Sequence, residues 1–255
     1  MKVVILAGGL GTRLSEETAI KPKPMLEIGN RPILWHIMKM YSHYGFNDFV
    51  ICLGYKGYLI KEYFSNYFLH QSDVEIDLKN NKMNILNNTS EDWKVTLIDT
   101  GYDTMTGGRL KYIQKYIDGT FMLTYGDGVS DIDIAKLVEF HREKGKIATI
   151  TSVQPEGRFG MIQCNKDGIV EKFNEKPMGD GAWVNAGYFV FEPEIFNYLG
   201  SDPYVVLEKE PFEKLALDNE MYAYKHKTFW KCMDTQRDKN QLEEMWADNP
   251  KWKIW

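Results

Sequence analysis

Cysteine is scarce in this chain, with three in 255 residues, at positions 52, 164 and 232. They form no C-x-x-C pair and no even-numbered set, which excludes a disulfide framework and points to a reduced compartment. Basic residues never cluster beyond a few, and 31 Lys+Arg against 36 Asp+Glu leave a net charge of -5. A nucleic-acid footprint needs a basic stripe, so that partner is excluded. No apolar run approaches the ~18 residues of a membrane span. The opening "MKVVILAGG" is too short for the apolar region of a signal peptide, and a cytoplasmic location is expected. There is no Pro/Gly/Ser linker, internal repeat or low-complexity segment. G-x-S-x-G and H-E-x-x-H are also missing, the five histidines (36, 43, 70, 141, 226) are scattered, and no cysteine sits in an evident activated setting. Nucleophilic and zinc-hydrolytic chemistry therefore have no carrier.

What is present is an α/β rhythm. "KVVILA" (2–7), "DFVICLG" (48–54), "VTLIDT" (95–100), "FMLTYGD" (121–127) and "IATITSV" (147–153) are short, β-branched or aromatic runs that read as buried strands. Amphipathic helical stretches lie between them at 31–45, 58–69, 107–117 and 131–145. The first places Asn30 near its N-cap, with Pro32 in the first turn and Gly45 as its stop. Residues 70–94 hold five asparagines and little helical period, and read as a surface hairpin or arm. After 153 the pattern turns strand-rich ("GMIQCN", "IVEKFNE", "AWVNAGYFVFEP"), with helices again near 208–218 and 236–247. The expected architecture is a Rossmann-like, mixed but mostly parallel sheet flanked by helices. It forms one domain over 1–255, with a core over 1–153, a strand-rich portion over 154–255 and a protruding arm at 70–94.

The first strand runs into "LAGGLGTRL", residues 6–14. A loop there sits at the carboxyl ends of parallel strands, where open α/β sheets bind ligands. Glycine allows close backbone approach, and successive N–H groups make an anion nest. Leu6, Ala7, Gly8, Gly9, Leu10, Gly11 and Thr12 are therefore candidates to cradle phosphate, with Arg13 as a forked cation. Thr12 and Arg13 stand where a P-loop needs Lys and Ser/Thr. In the register of G-x-G-x-x-G from Gly9, Leu14 replaces the last glycine. "KPKPM" (21–25) follows, and its prolines present Lys21 and Lys23 on a stiff, extended piece of chain.

L-A-G-G-x-G-T-R-L followed by P-K-P resembles the signature of the sugar-1-phosphate nucleotidylyltransferases. The likeness continues through "LWHIMKMY", "TYGDG", "GRFGMI", "EKP", "NAGYFVFEP" and "FWKCMDTQRD", over nearly the whole chain. With the asparagine-rich stretch and "DTMTGGRL" (103–110), it is most similar to the branch that makes CDP-glucose from CTP and glucose 1-phosphate. The resemblance implies a Rossmann-like mixed sheet, Mg²⁺ as cofactor, a homo-oligomer such as a hexamer, and no covalent intermediate. A sugar-phosphate oxygen attacks the α-phosphorus in line and pyrophosphate leaves, so positioning and electrostatics must supply the rate.

On this basis Arg13 and Lys23 neutralise the triphosphate, Lys23 by resemblance at the α-phosphate. Asp127 of "TYGDG" and Asp234 of "CMDT" are expected to hold the metal, since magnesium takes one or two carboxylates plus phosphates and water. Gly126 joins the nucleotide side, and Thr104, Thr106 and Arg109, with the glycine pair 107–108, are candidates for base choice. Glu175, Lys176 and Asn185 are carried over from the family to the sugar phosphate. Other readings remain open. One is a uridylyl-, thymidylyl- or guanylyltransferase. Another is a non-catalytic nucleotide-sugar-binding subunit, which would tend to lose the loop's Arg or Lys. A third is a glycosyltransferase using Asp131 and Asp133 as a D-x-D pair, although these look like the acidic first turn of a helix.

Overall fold

The computed structural model describes residues 1–155, 161–174 and 182–255. Its centre is a seven-stranded sheet. The strands are β1 (Val3–Leu6), β2 (Asp48–Leu53), β3 (Lys94–Asp99), β4 (Phe121–Tyr125), β5 (Ala148–Val153), β6 (Val184–Phe191) and β7 (Met221–Lys225). They lie in the spatial order β7-β5-β6-β4-β1-β2-β3. All run parallel except β6, which is antiparallel to both of its neighbours. The principal helices are α1 (Ile33–His43), α2 (Gly57–His70), α3 (Thr106–Tyr112), α4 (Ile134–Lys144), α5 (Glu210–Leu217) and α6 (Gln236–Asp248).

The apolar runs form strands because both sheet faces are covered, which favours continuous rather than alternating hydrophobicity. In β1, Val3 and Ile5 join the core cluster shared with α1 and α4, while Val4 and Leu6 join the opposite one with Phe121, Phe189 and Phe212. Local signals set the helix ends. The Asp133 side chain accepts from the Lys136 amide at 3.0 Å to cap α4, which stops at Gly145 in the left-handed region. Thr235 and Asp238 form a reciprocal capping box on α6.

Three local expectations need correction. Asn30 does not cap α1. Gly29 and Asn30 both take positive φ in the turn of a small hairpin, Glu27–Ile28 with Arg31–Pro32, and α1 starts after Pro32. The 107–117 helix is two pieces, α3 and a separate 3-10 turn over Gln114–Tyr116. Lys23–Met25 is likewise a 3-10 turn and not extended chain, although Pro22 before it is extended. The 70–94 stretch does contain a hairpin, Ser72–Asp77 with Lys82–Asn88.

Sheet register positions the site. Leu6 pairs with Cys52 on one side and with Tyr125 on the other, so the segments after β1, β2 and β4 leave the sheet at one level. Because β6 runs the other way, its amino end lies at that same edge, with Asn185 opposite Ser152. The Gly128–Ser130 strand pairs with Trp230–Cys232, which brings the chain before Asp234 alongside the chain after Asp127.

Candidate active site

Two of the cavities at this edge adjoin each other. One of about 330 Å³ is lined by the glycine loop, Arg13, Lys23, the 104–106 segment and Tyr125 to Asp127, with Asp234. A second, of about 250 Å³, is lined by Tyr125, Asn185 to Tyr188, Trp230 and Cys232. Arg13, Tyr125, Asp127 and Asp234 line both, so the cavities meet at these four side chains.

Charge pairing is tight at the junction. Lys23 Nζ donates to Asp127 Oδ2 at 2.6 Å and to Asp234 Oδ1 at 2.7 Å. Arg13 Nη1 donates to Asp234 Oδ2 at 2.7 Å. Burial disfavours the Lys23 charge, yet Asp127 and Asp234 outweigh it and hold the ammonium above its usual pKa. Asp234 moves the other way. Burial favours its neutral form, but Lys23 and then Arg13 hold its carboxyl below the usual range. Lys23 is fixed by Pro22 and Pro24 around its 3-10 turn. Asp234 directly precedes the capping box, its amide also bonds Asp238 Oδ2 at 3.2 Å, and Thr235 rather than Asp234 serves as the N-cap. The Asp234 carboxylate is therefore left to the junction. Lys21 stays outside, paired with Glu27 at 2.6 Å on the surface.

The glycine loop is shaped from below by Arg109, which is 4% exposed. Its Nη1 donates to Leu53 O, Thr100 Oγ1 and Gly101 O, each at 2.8 Å, and its Nη2 to Gly8 O at 3.0 Å and Tyr102 O at 3.2 Å. Both terminal nitrogens bond the protein, so Arg109 braces three loops, and it also lines the first cavity. A Cβ at Gly8 would lie 2.2 Å from Arg109 Nη1, so any larger residue there would push the guanidinium aside. The pair at 107–108 has a similar explanation. The 203–207 strap crosses the start of α3, with Met105 N donating to Pro203 O and Gly107 N to Val205 O, both at 2.9 Å. A Cβ on Gly108 would sit 2.2 Å from Pro203 O, and one on Gly107 2.9 Å from Val205 O. These glycines admit the strap.

Of the other sequence candidates, Leu6, Ala7, Gly9, Gly11, Thr12, Thr104, Thr106 and Gly126 line the first cavity. Leu10 is 43% exposed and lines neither of the two cavities. Asn185 is in the second, donating to Tyr125 Oη at 3.2 Å and accepting from Gly187 N at 2.8 Å. Glu175 and Lys176 lie outside the described residues. Asp133 is a helix cap, and Asp131 pairs with His226 at 3.0 Å and Thr228 at 2.7 Å, so they do not form a metal pair. Sequence reasoning missed Tyr125, which stands in "TYGDG" and whose place at the end of β4 was a usable signal. It also missed Glu208, whose carboxylate accepts from the hydroxyls of Tyr125 and Thr106 and which left no motif to follow.

A cationic loop, paired acids and two adjoining cavities at the carboxyl edge suit the joining of two anionic ligands, and similarity to known proteins agrees. A model of the nucleotidyl transferase family matches residues 2–253. A glucose-1-phosphate cytidylyltransferase of Salmonella typhimurium is 54% identical, covering 100% of both chains. A probable glucose-1-phosphate cytidylyltransferase of Bacillus subtilis is 43% identical, again over 100% of both. Among solved structures, HddC from Yersinia pseudotuberculosis shares the fold, with a TM-score of 0.68 at 24% identity over 96% of this chain and 99% of that one. With its loop, acids and sheet edge arranged as above and almost every residue inside the match, this chain belongs to the nucleotidyl transferase family.

Proposed function

We propose that the protein transfers the cytidylyl group of CTP to α-D-glucose 1-phosphate, giving CDP-glucose and pyrophosphate. The observation that carries this is the junction of Arg13, Lys23, Asp127 and Asp234 between two cavities. CTP takes the larger cavity, its triphosphate against the glycine-loop amides and the two cations. Its base lies along 104–106, where Thr104, Met105 and Thr106 give an uncharged wall. The sugar phosphate enters the smaller cavity beside Asn185 and Tyr125, with Glu175 and Lys176 assigned to it by family resemblance.

In the reaction, a phosphate oxygen of glucose 1-phosphate forms a bond to the α-phosphorus of CTP. The bond to the β-phosphate bridging oxygen breaks, and pyrophosphate leaves with the electron pair. Arg13 and Lys23 stabilise the charge that builds around the α-phosphate, and the backbone amides of the loop hold the leaving group. Asp127 and Asp234 fit a magnesium ion, because two carboxylates already grip one cation here at 2.6–2.7 Å and hard oxygen is the ligand magnesium takes. Bound there, magnesium would supply charge neutralisation and help to orient the phosphates. The resemblance also assigns a hexamer. The arm supports self-association, since Leu78 is 87% and Leu86 67% exposed on it.

A pyrophosphate-release assay with glucose 1-phosphate and each of CTP, UTP, dTTP and GTP, with and without Mg²⁺, tests the reading. Turnover is expected with CTP foremost and only with the metal. Preference for another triphosphate would move the protein to another branch. Absence of pyrophosphate with all four would support a non-catalytic binding subunit, although all four charged residues of the junction are retained.

A further inference from the structure

One half-buried carboxylate takes no part in the chemistry above. Glu208 lines neither cavity, yet it stands behind the wall of the larger one. Its Oε2 accepts the Thr106 hydroxyl at 2.6 Å, and its Oε1 accepts the Tyr125 hydroxyl. Each of those oxygens also receives a hydrogen from elsewhere, Thr106 Oγ1 from Leu207 N at 2.9 Å and Tyr125 Oη from Asn185 Nδ2 at 3.2 Å. A hydroxyl has one hydrogen and two lone pairs, and an ionised carboxylate only accepts. Both hydroxyl hydrogens are therefore committed to Glu208, and what Thr106 and Tyr125 have left for the cavity is a lone pair. The strap that carries Glu208 is anchored through Pro203 and Val205 to the first turn of α3, so the carboxylate is held where it is.

We propose that Glu208 is a specificity-determining positioning residue. By holding the hydroxyl hydrogens of Thr106 and Tyr125, it leaves only lone pairs on that side of the wall, and at Thr106, beside the base, this selects an amino group at position 4 over a carbonyl there. The inference rests on the CTP reading, which places the base along 104–106. Cytosine donates to that wall. Uracil presents a second acceptor and leaves polar atoms unpaired, the situation in which buried sites discriminate most strongly.

Glu208→Gln tests it. Glutamine has one acceptor oxygen and one donor amide, so one of the two hydroxyls must turn its hydrogen around. The readout is the ratio of kcat/KM for CTP to that for UTP with glucose 1-phosphate, in which the folded fraction cancels. The ratio is expected to fall by about tenfold or more in Glu208→Gln and in Thr106→Val, with no further fall in the double variant. A wild-type ratio retained in Glu208→Gln overturns the inference and leaves the cytidylyl reading standing. If Glu208→Gln does not fold, an unchanged ratio in Thr106→Val overturns it instead. A wild-type enzyme without preference for CTP overturns the functional reading, and this inference with it.

Discussion

Lys23 holds two carboxylates at once, and its environment explains why it stays charged. Its raised pKa keeps the ammonium protonated, and the lowered pKa of Asp234 keeps that carboxylate ionised. The clamp therefore spans the neutral range. Lys23→Ala removes the cation that the proposed reaction places at the α-phosphate and is expected to cut turnover by roughly 10²–10³. The fold should persist, since the pair sits at the rim of the sheet and not in its core, and an unchanged circular dichroism spectrum alongside the rate would check this. At this scale the sequence was informative where a side chain's own chemistry marks its use. Lys23 between two prolines, Asp127 between two glycines and Arg13 closing the glycine loop were marked by their neighbours, whereas Asp234, between Met233 and Thr235, was reached through an aromatic strand-like run and the family resemblance. Arg109 was named too, for base choice, and its bracing of three loops was missed. Its partners are mostly backbone carbonyls of Leu53, Gly101, Gly8 and Tyr102, and carbonyls leave no trace in a sequence.

Among the elements, α3 depends most on a neighbour far away in sequence. Its first turn would present unpaired amides, and the 203–207 strap accepts from them in place of a side-chain cap. Gly108→Ala gains about 1 kcal/mol of helix propensity. It also drives a Cβ to within 2.2 Å of Pro203 O, a backbone atom that cannot swing aside. A net loss of about 1–3 kcal/mol is expected, measurable as a lower urea midpoint, together with a raised KM for CTP as the strap lifts Glu208 away from Thr106. The strap was not legible in sequence because its bonds join residues about a hundred positions apart. The reversed direction of β6 was hidden for a similar reason: an apolar run shows that a strand is buried but not which way it points. β7 was missed because "MYAYK" is short and only partly buried. Strands β1 to β5 were clear, each being an apolar run bounded by turns or helices.

The whole molecule closes with its C-terminal segment packed against α1. Trp252 is 0% exposed and donates from Nε1 to His36 Nδ1 at 3.3 Å, while His36 Nε2 donates to Ile28 O at 2.8 Å. Trp246 and Trp252 lie edge-on to the imidazole. Burial lowers the His36 pKa to about 4, against 6.5 for the free side chain. A depressed histidine favours the folded state at neutral pH. As the pH falls below 6.5 the unfolded chain takes up a proton that the folded chain refuses, so stability declines until about pH 4 and levels off. The His36 contribution to that decline is about 3 kcal/mol. Urea unfolding between pH 7 and pH 4.5 should show a steeper loss in the wild type than in His36→Gln, and equal slopes would refute the assignment.

The resting junction also has a consequence for how the protein fills. Arg13 and Lys23 against Asp127 and Asp234 add up to no formal charge, on a chain that is itself net acidic. A distant polyanion meets little attractive field here. On the proposed reading, a triphosphate would gain its counter-ions only at touching range, in exchange for the aspartates. Loading is thus an exchange of partners, and whatever then settles on the vacated carboxylates decides how firmly the newcomer stays.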